Sequence, residues 1–175
     1  MTIVALISIT CPDRVGLVSA ITGRLFELGA NLGDTTFAVL GGGAEFTSVV
    51  ELPQDMELEA ADAELRALPE LEGADISVTR FALAPVHGPL GQVTHKITVT
   101  GGDRPGLIAR MSEVFVQFRA NIVRLNAERI NAHRGGSQYA VIFAVCLPED
   151  SAPSCLATVA NTAGSLGLSC RWEAV

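Results

Sequence analysis

Asp13, Gly16 and Asn31 recur ninety residues later as Asp103, Gly106 and Asn121. Their neighbours are copied with them. Asp13-Arg14-Val15-Gly16-Leu17 returns as Asp103-Arg104-Pro105-Gly106-Leu107, and the closing Ala30-Asn31-Leu32 returns as Ala120-Asn121-Ile122. Each Asp follows an apolar run and precedes a helical pattern, so it stands where unpaired N–H groups and the helix dipole favour a carboxylate. The Asp can accept hydrogen bonds from an ammonium, and Asn offers both a donor and an acceptor. Gly lets a ligand or a second backbone approach closely. This set suits an α-amino acid. The candidate ligand-side residues are Asp13, Arg14, Gly16, Leu17, Asn31 and Leu32, with Asp103, Arg104, Gly106, Leu107, Asn121 and Ile122. Each also has a plain structural reading: Asp as a helix cap, Gly for helix–strand packing, Asn as a turn residue. The joint duplication favours the binding reading.

Other chemistry is sparse. Cys11, Cys146, Cys155 and Cys170 form no CxxC pair, and Cys146 and Cys170 fall in apolar strand-like runs that suit buried reduced thiols. His87, His95 and His133 have no partners at metal-ligand spacing, so no metal, cofactor or catalytic group is assigned. Val116-Gln117-Phe118-Arg119 bears a faint likeness to acylphosphatase, but Arg119 falls at a helix end rather than in a glycine-bearing loop. Tyr139 and Phe143, four apart in an apolar strand, read as core rather than as base-stacking aromatics. Arg124, Arg129 and Arg134 form a modest basic set read as a solvated face.

The elements that position the repeated turns follow from hydrophobic period. Thr2–Thr10 is a nearly continuous apolar run, a strand buried on both faces. Arg14–Leu28 is helical, with Leu17, Ile21, Leu25 and Leu28 on one face, Asp13 placed to cap it and Gly29 to end it. Leu32–Leu40 and Ala44–Leu52 read as a hairpin around Gly41-Gly42-Gly43. Leu58, Ala61, Leu65 and Leu68 mark a second helix stopped by Pro69, and Asp75–Leu83 a last strand. The pattern then restarts. Val93–Thr100 is a strand, and a helix carries Leu107, Met111, Phe115 and Phe118 with Pro105 in its first turn. Ile122–Ile130 and Ser137–Leu147 form a hairpin around His133-Arg134-Gly135-Gly136. A helix with Leu156, Val159, Ala163 and Leu166 and a strand over Leu168–Glu173 close the unit. Leu147-Pro148-Glu149-Asp150 echoes Leu52-Pro53-Gln54-Asp55 at an offset of 95, so the second hairpin has gained five residues.

The order βαββαβ, written twice, predicts an α+β chain of two ferredoxin-like modules. Each has an antiparallel sheet in the order 4-1-3-2 with its helices on one face. The expected division is a first module over 1–84, a Pro/Gly-rich linker over 85–92 and a second module over 93–175. The 175 residues carry a net charge of -7, a poor prior for a nucleic-acid binder. Residues 1–85 hold 4 Arg against 13 acids, a net of -9, whereas 86–175 are slightly basic at +2. No signal-peptide pattern or membrane-length apolar run is present, so a cytoplasmic protein without membrane contact is expected.

The βαββαβ unit with Asp-Arg-x-Gly-Leu after its first strand and Ala-Asn-Leu/Ile before its second resembles the ACT domain, a regulatory module that binds small ligands, usually amino acids. The stand-alone tandem, opening on Cys11-Pro12-Asp13-Arg14-Val15-Gly16-Leu17-Val18, is similar to the glycine cleavage system transcriptional repressor family. That resemblance implies a non-enzymatic regulator of a transcriptional activator in glycine metabolism. It would bind a free amino acid such as glycine or serine, form a homodimer and make no direct DNA contact. Serine-binding modules of the family can carry a His two residues before the turn Asp. Cys11 and Gly101 stand there instead, so serine specificity does not transfer. The competing readings are a small acylphosphatase-type hydrolase and a ligand-free dimerisation module.

Overall fold

A computed structural model describes residues 2–131 and 137–175, and the hairpin residues His133, Arg134, Gly135 and Gly136 lie outside the described residues. The chain divides into two compact units, Met1–Val86 and His87–Val175.

The first unit runs β1 (Thr2–Pro12), α1 (Leu17–Glu27), β2 (Asn31–Leu40), β3 (Gly43–Pro53), α2 (Leu58–Arg66), a 3-10 turn (Pro69–Leu71) and β4 (Asp75–Arg80). Its antiparallel sheet has the order β2-β3-β1-β4, which is the expected arrangement. Alternation explains the layering. Ala5, Ile7, Ile9 and Cys11 on β1, with Ala44, Phe46, Val50 and Leu52 on β3, form one face of the core, and Leu17, Ile21, Leu25, Ala61 and Leu65 supply the helical side. Fully burying a Leu, Ile or Phe contributes roughly 1.5–3 kcal/mol each, so this layer is the main force holding the turn in place. Ser48 is a polar residue inside it, fully buried and 2.8 Å from the hydroxyl of Thr35.

The second unit repeats the plan with β5 (His95–Gly101), α3 (Leu107–Gln117), β6 (Asn121–Asn131), β7 (Ser137–Cys146), α4 (Ala152–Ser165) and β8 (Ser169–Ala174), in the order β6-β7-β5-β8. At the position of Ser48 stands Phe143, fully buried and packed edge-on against Phe115 with ring centroids 5.2 Å apart. The segment read as a linker contributes a 3-10 turn, Pro89–Gly91, to this unit. Asn121 donates to Leu90 O at 2.8 Å, and the Cys146 thiol donates to Pro89 O at 3.6 Å.

Three local expectations change. Both first helices start later than read, at Leu17 and Leu107, because Gly16 (φ 95°) and Gly106 (φ 77°) occupy the N-cap in the left-handed region. No side chain caps either helix, so Asp13 is not a cap and Pro105 lies before the helix rather than in its first turn. The buried thiols are Cys11 and Cys155, whereas Cys146 and Cys170 are only partly covered.

Gly29 closes α1 as expected. Its N–H bonds Phe26 O while Ala30 N–H bonds Leu25 O, the paired 5→2 and 6→1 bonds of a Schellman turn. The second unit makes the same two bonds from Arg119 and Ala120, which forces Arg119 to φ 56°.

Candidate functional site

The two repeated turns lead from a central strand into an uncapped helix, and their surroundings differ. In the first, Asp13 is exposed, and its carboxylate makes no hydrogen bond or ion pair among the described residues. Its N–H donates to Gly42 O at 3.2 Å, which ties the turn to the β2–β3 hairpin. Arg14 reaches away from the turn. It donates to the carbonyls of Glu70 and Glu72, both at 3.0 Å, and to Pro69 O at 3.5 Å, bracing the 3-10 turn before β4. Val15 is fully exposed at the tip. Leu17 is a core residue at 1% exposure, so its side chain faces the sheet and not the turn's surface. Burial pushes the Cys11 thiol upward, opposed by the Arg14 charge and reinforced by Asp13.

In the second turn Asp103 is already engaged, accepting from Arg129 on β6 at 2.9 Å. A concavity of about 210 Å³ opens here between Asp103, Arg104 and the start of α3 on one side and Tyr139 on the other. Leu107 is buried like Leu17. Arg129 and Tyr139 went unnoticed as site residues. They are paired neighbours across β6 and β7, and Tyr139 in turn faces Gly101 on β5. Only strand register brings them to the turn.

The glycines answer to backbone geometry. A Cβ added at Gly16 or Gly106 meets nothing within 4 Å, so space does not demand glycine at either place, whereas the positive φ does.

The asparagines do not join the aspartates. Asn31 pairs with Glu51, which pairs with Val4, while Asp13 lies just beyond Pro12. Eight strand positions separate those levels, about 26 Å at the usual rise of a strand. Asn31 is exposed there with no side-chain hydrogen bond among the described residues. Asn121 likewise starts β6 level with Cys146, beyond His95 at the far end of β5 from Gly101 and Asp103. Leu32 and Ile122 are half-buried against the two cores. Arg119 is exposed at the end of α3 remote from the turn. Among the described residues no group of three His, Cys, Asp or Glu is placed to hold a metal, and no helix is long and apolar enough to cross a membrane.

The fold and the duplicated, uncapped strand-to-helix turns define a protein of two ferredoxin-like βαββαβ modules in tandem. The ACT domain family model matches residues 4–79. The first unit is an ACT domain, and the second repeats its topology and turn geometry. Two solved structures share the fold along the whole chain. A protein of unknown function from Galdieria sulphuraria has a TM-score of 0.77 at 24% identity, covering 100% of this chain and 99% of its own. A candidate glycine cleavage system transcriptional repressor has a TM-score of 0.63 at 14% identity, covering 100% and 98%. No curated protein sequence matches the chain.

Proposed function

We propose that this protein is a non-enzymatic regulator that binds an amino acid, such as glycine or serine, at its strand-to-helix turns and thereby controls a protein partner. One observation carries the reading. Both α1 and α3 begin at a left-handed glycine with no side-chain cap, and each is preceded by an Asp. Uncapped first-turn N–H groups suit a carboxylate, and the Asp suits the ammonium of the same molecule. The site residues proposed are Asp13 and Gly16 with Asn31, and Asp103, Arg104 and Gly106 with Asn121. Arg14, Leu17, Leu32, Leu107 and Ile122 act by supporting the turns and strands that carry them.

Within one unit, Asp and Asn stand about 26 Å apart by strand rise. A pocket using both therefore needs an Asn from outside that unit, and the homodimer proposed here supplies it from a second copy of the chain. Such a ligand shifts assembly only through its differential affinity for the two states. The partner proposed is a transcriptional regulator of glycine metabolism, by likeness to the repressor that shares the fold. The net charge of -7 argues against direct DNA contact. Four free cysteines fit a reducing, cytoplasmic setting.

The test is a thermal-shift screen of the full chain against the free amino acids at millimolar levels, followed by sedimentation with any hit. Ligand at 100 times its Kd adds about 2.7 kcal/mol to stability. A stabilising amino acid that also changes the association state supports the proposal. A chain that dimerises but responds to no amino acid is a ligand-free dimerisation module, and the sensor reading is then wrong.

A further inference from the structure

A groove of the second unit lies at the end of β5 opposite the β5–α3 turn, and the proposed amino-acid site makes no use of it. Its volume is about 700 Å³, within the range that holds a small organic molecule. It is lined by the apolar Leu147, Ala152, Pro153, Leu156 and Trp172 together with Thr94, His95 and Glu149.

The first unit differs at two of the corresponding positions. There the corresponding loop ends in Met56, which packs on the core, and Val78 stands opposite Ile7. In the second unit Ser151 replaces Met56 and turns its hydroxyl to Phe118 O and Pro148 O, both at 3.3 Å. Trp172 takes the place of Val78, opposite Ile97, and remains 46% exposed. An exposed indole thus stands where the first unit has a half-buried valine.

The polar groups of the groove select the ligand. The single Thr94 hydroxyl proton goes to Val145 O (3.2 Å), while Leu147 N–H donates to Thr94 Oγ at 2.8 Å. His95 Nδ1, 3.0 Å from the same oxygen, is then the donor. Glu149 is an acceptor and carries a negative charge at the groove. Among the described residues no lysine or arginine lines it. The start of α4 gives an anion little, because Ala152 N–H is spent on Pro148 O and Pro153 has no N–H. We propose that this groove binds a flat apolar primary amine, with an aryl body against Trp172 and its ammonium at Glu149.

Trp172 is the sole tryptophan, so its emission reports on the groove and on the smaller cavity it shares with Lys96, Thr98, Arg171 and Glu173, and the Glu149 variant tells the two apart. The full chain is titrated with 2-phenylethylamine and, separately, with phenylacetate, which has a similar body and the opposite charge. The expected result is a saturable emission change with the amine and none with the acid over the same range. Glu149→Gln should weaken the amine by about tenfold or more, as expected for loss of a charge-assisted hydrogen bond. Equal response to phenylacetate overturns the proposal, and so does an amine affinity unchanged in Glu149→Gln. An emission shift that follows protein concentration without any amine also overturns it, since a second copy then covers the groove. The amine-versus-acid comparison uses the unaltered chain, so it decides the matter even if the variant folds poorly.

Discussion

Arg129 donates to Asp103 across 2.9 Å, and the first unit has no such pair, because Val39 stands where the second unit has Arg129. The two aspartates are equivalent by sequence and unequal by surroundings: one is open, the other neutralised. An incoming ammonium must displace a guanidinium to reach Asp103 and meets no rival at Asp13. Asp13→Ala should therefore reduce amino-acid affinity more than Asp103→Ala does. Arg129→Val, tested by calorimetric titration in an Asp13→Ala background, should tighten binding at the second turn several-fold. Its stability cost should stay below about 1 kcal/mol, because the pair is solvent-exposed.

Arg14 braces three carbonyls around the 3-10 turn. Arg14→Ala should lower unfolding free energy by about 1 kcal/mol in urea titrations without ligand, since the carbonyls can turn to water. Arg14→Lys should recover little of that loss, because an ammonium does not span the fork of a guanidinium. An Arg14→Ala variant that keeps full stability and loses only ligand affinity contradicts the bracing role.

The hydroxyl pair of buried Ser48 and exposed Thr35 is tested by a double-mutant cycle. Thr35 donates to Gly33 O at 3.0 Å, so Ser48 donates to Thr35. Thr35→Val leaves the Ser48 hydroxyl with only a 3.4 Å contact to Val49 O and should cost about 1–2 kcal/mol. Adding Ser48→Ala should recover part of that cost, because both partners are then apolar, as Leu125 and Phe143 are in the second unit.

Cys155 is fully buried, and burial pushes its thiol up to about 11 from 9.0. A thiol with a raised native pKa contributes stability that is present below the unfolded value and lost as pH rises through the folded one. Stability should therefore fall between about pH 9 and 11, where the unfolded chain releases a proton that the native chain keeps. Burial raises Cys11 and Cys170 as well and adds to the slope. Cys155→Ala should flatten this fall in chemical denaturation measured across that window.

Arg119 holds the left-handed position that Gly29 holds in the first unit. Arg119→Gly should raise stability by about 0.5–1 kcal/mol, since a side chain in that region costs more than the added chain entropy of glycine. Differential scanning calorimetry measures the shift, and a lower melting temperature contradicts it.

Much of the architecture was legible in the chain. The 4-4-3 apolar spacing at Leu17, Ile21, Leu25 and Leu28, repeated ninety residues on, marks both first helices because a buried helical stripe repeats every 3.6 residues. Helix starts were less legible. Whether Asp13 caps α1 depends on the path of Arg14–Gly16, and the left-handed Gly16 settled it. Cys146 and Cys170 read as buried from apolar neighbours, yet one ends its strand and the other lies on edge strand β8, where cover is incomplete.

The amino-acid sequence by itself determined the doubled βαββαβ order, the sheet order and the residues that form each core, because these follow from local period and from the handedness of crossovers. Only the tertiary structure decided that Asn31 stands at the far end of the sheet from Asp13, that Arg14 braces a 3-10 turn, and that Arg129 holds Asp103. The same is true of the groove beside Trp172. These contacts depend on strand register summed over hairpins of unequal length, and a few added residues there move a side chain to a new neighbour without altering the pattern that surrounds it.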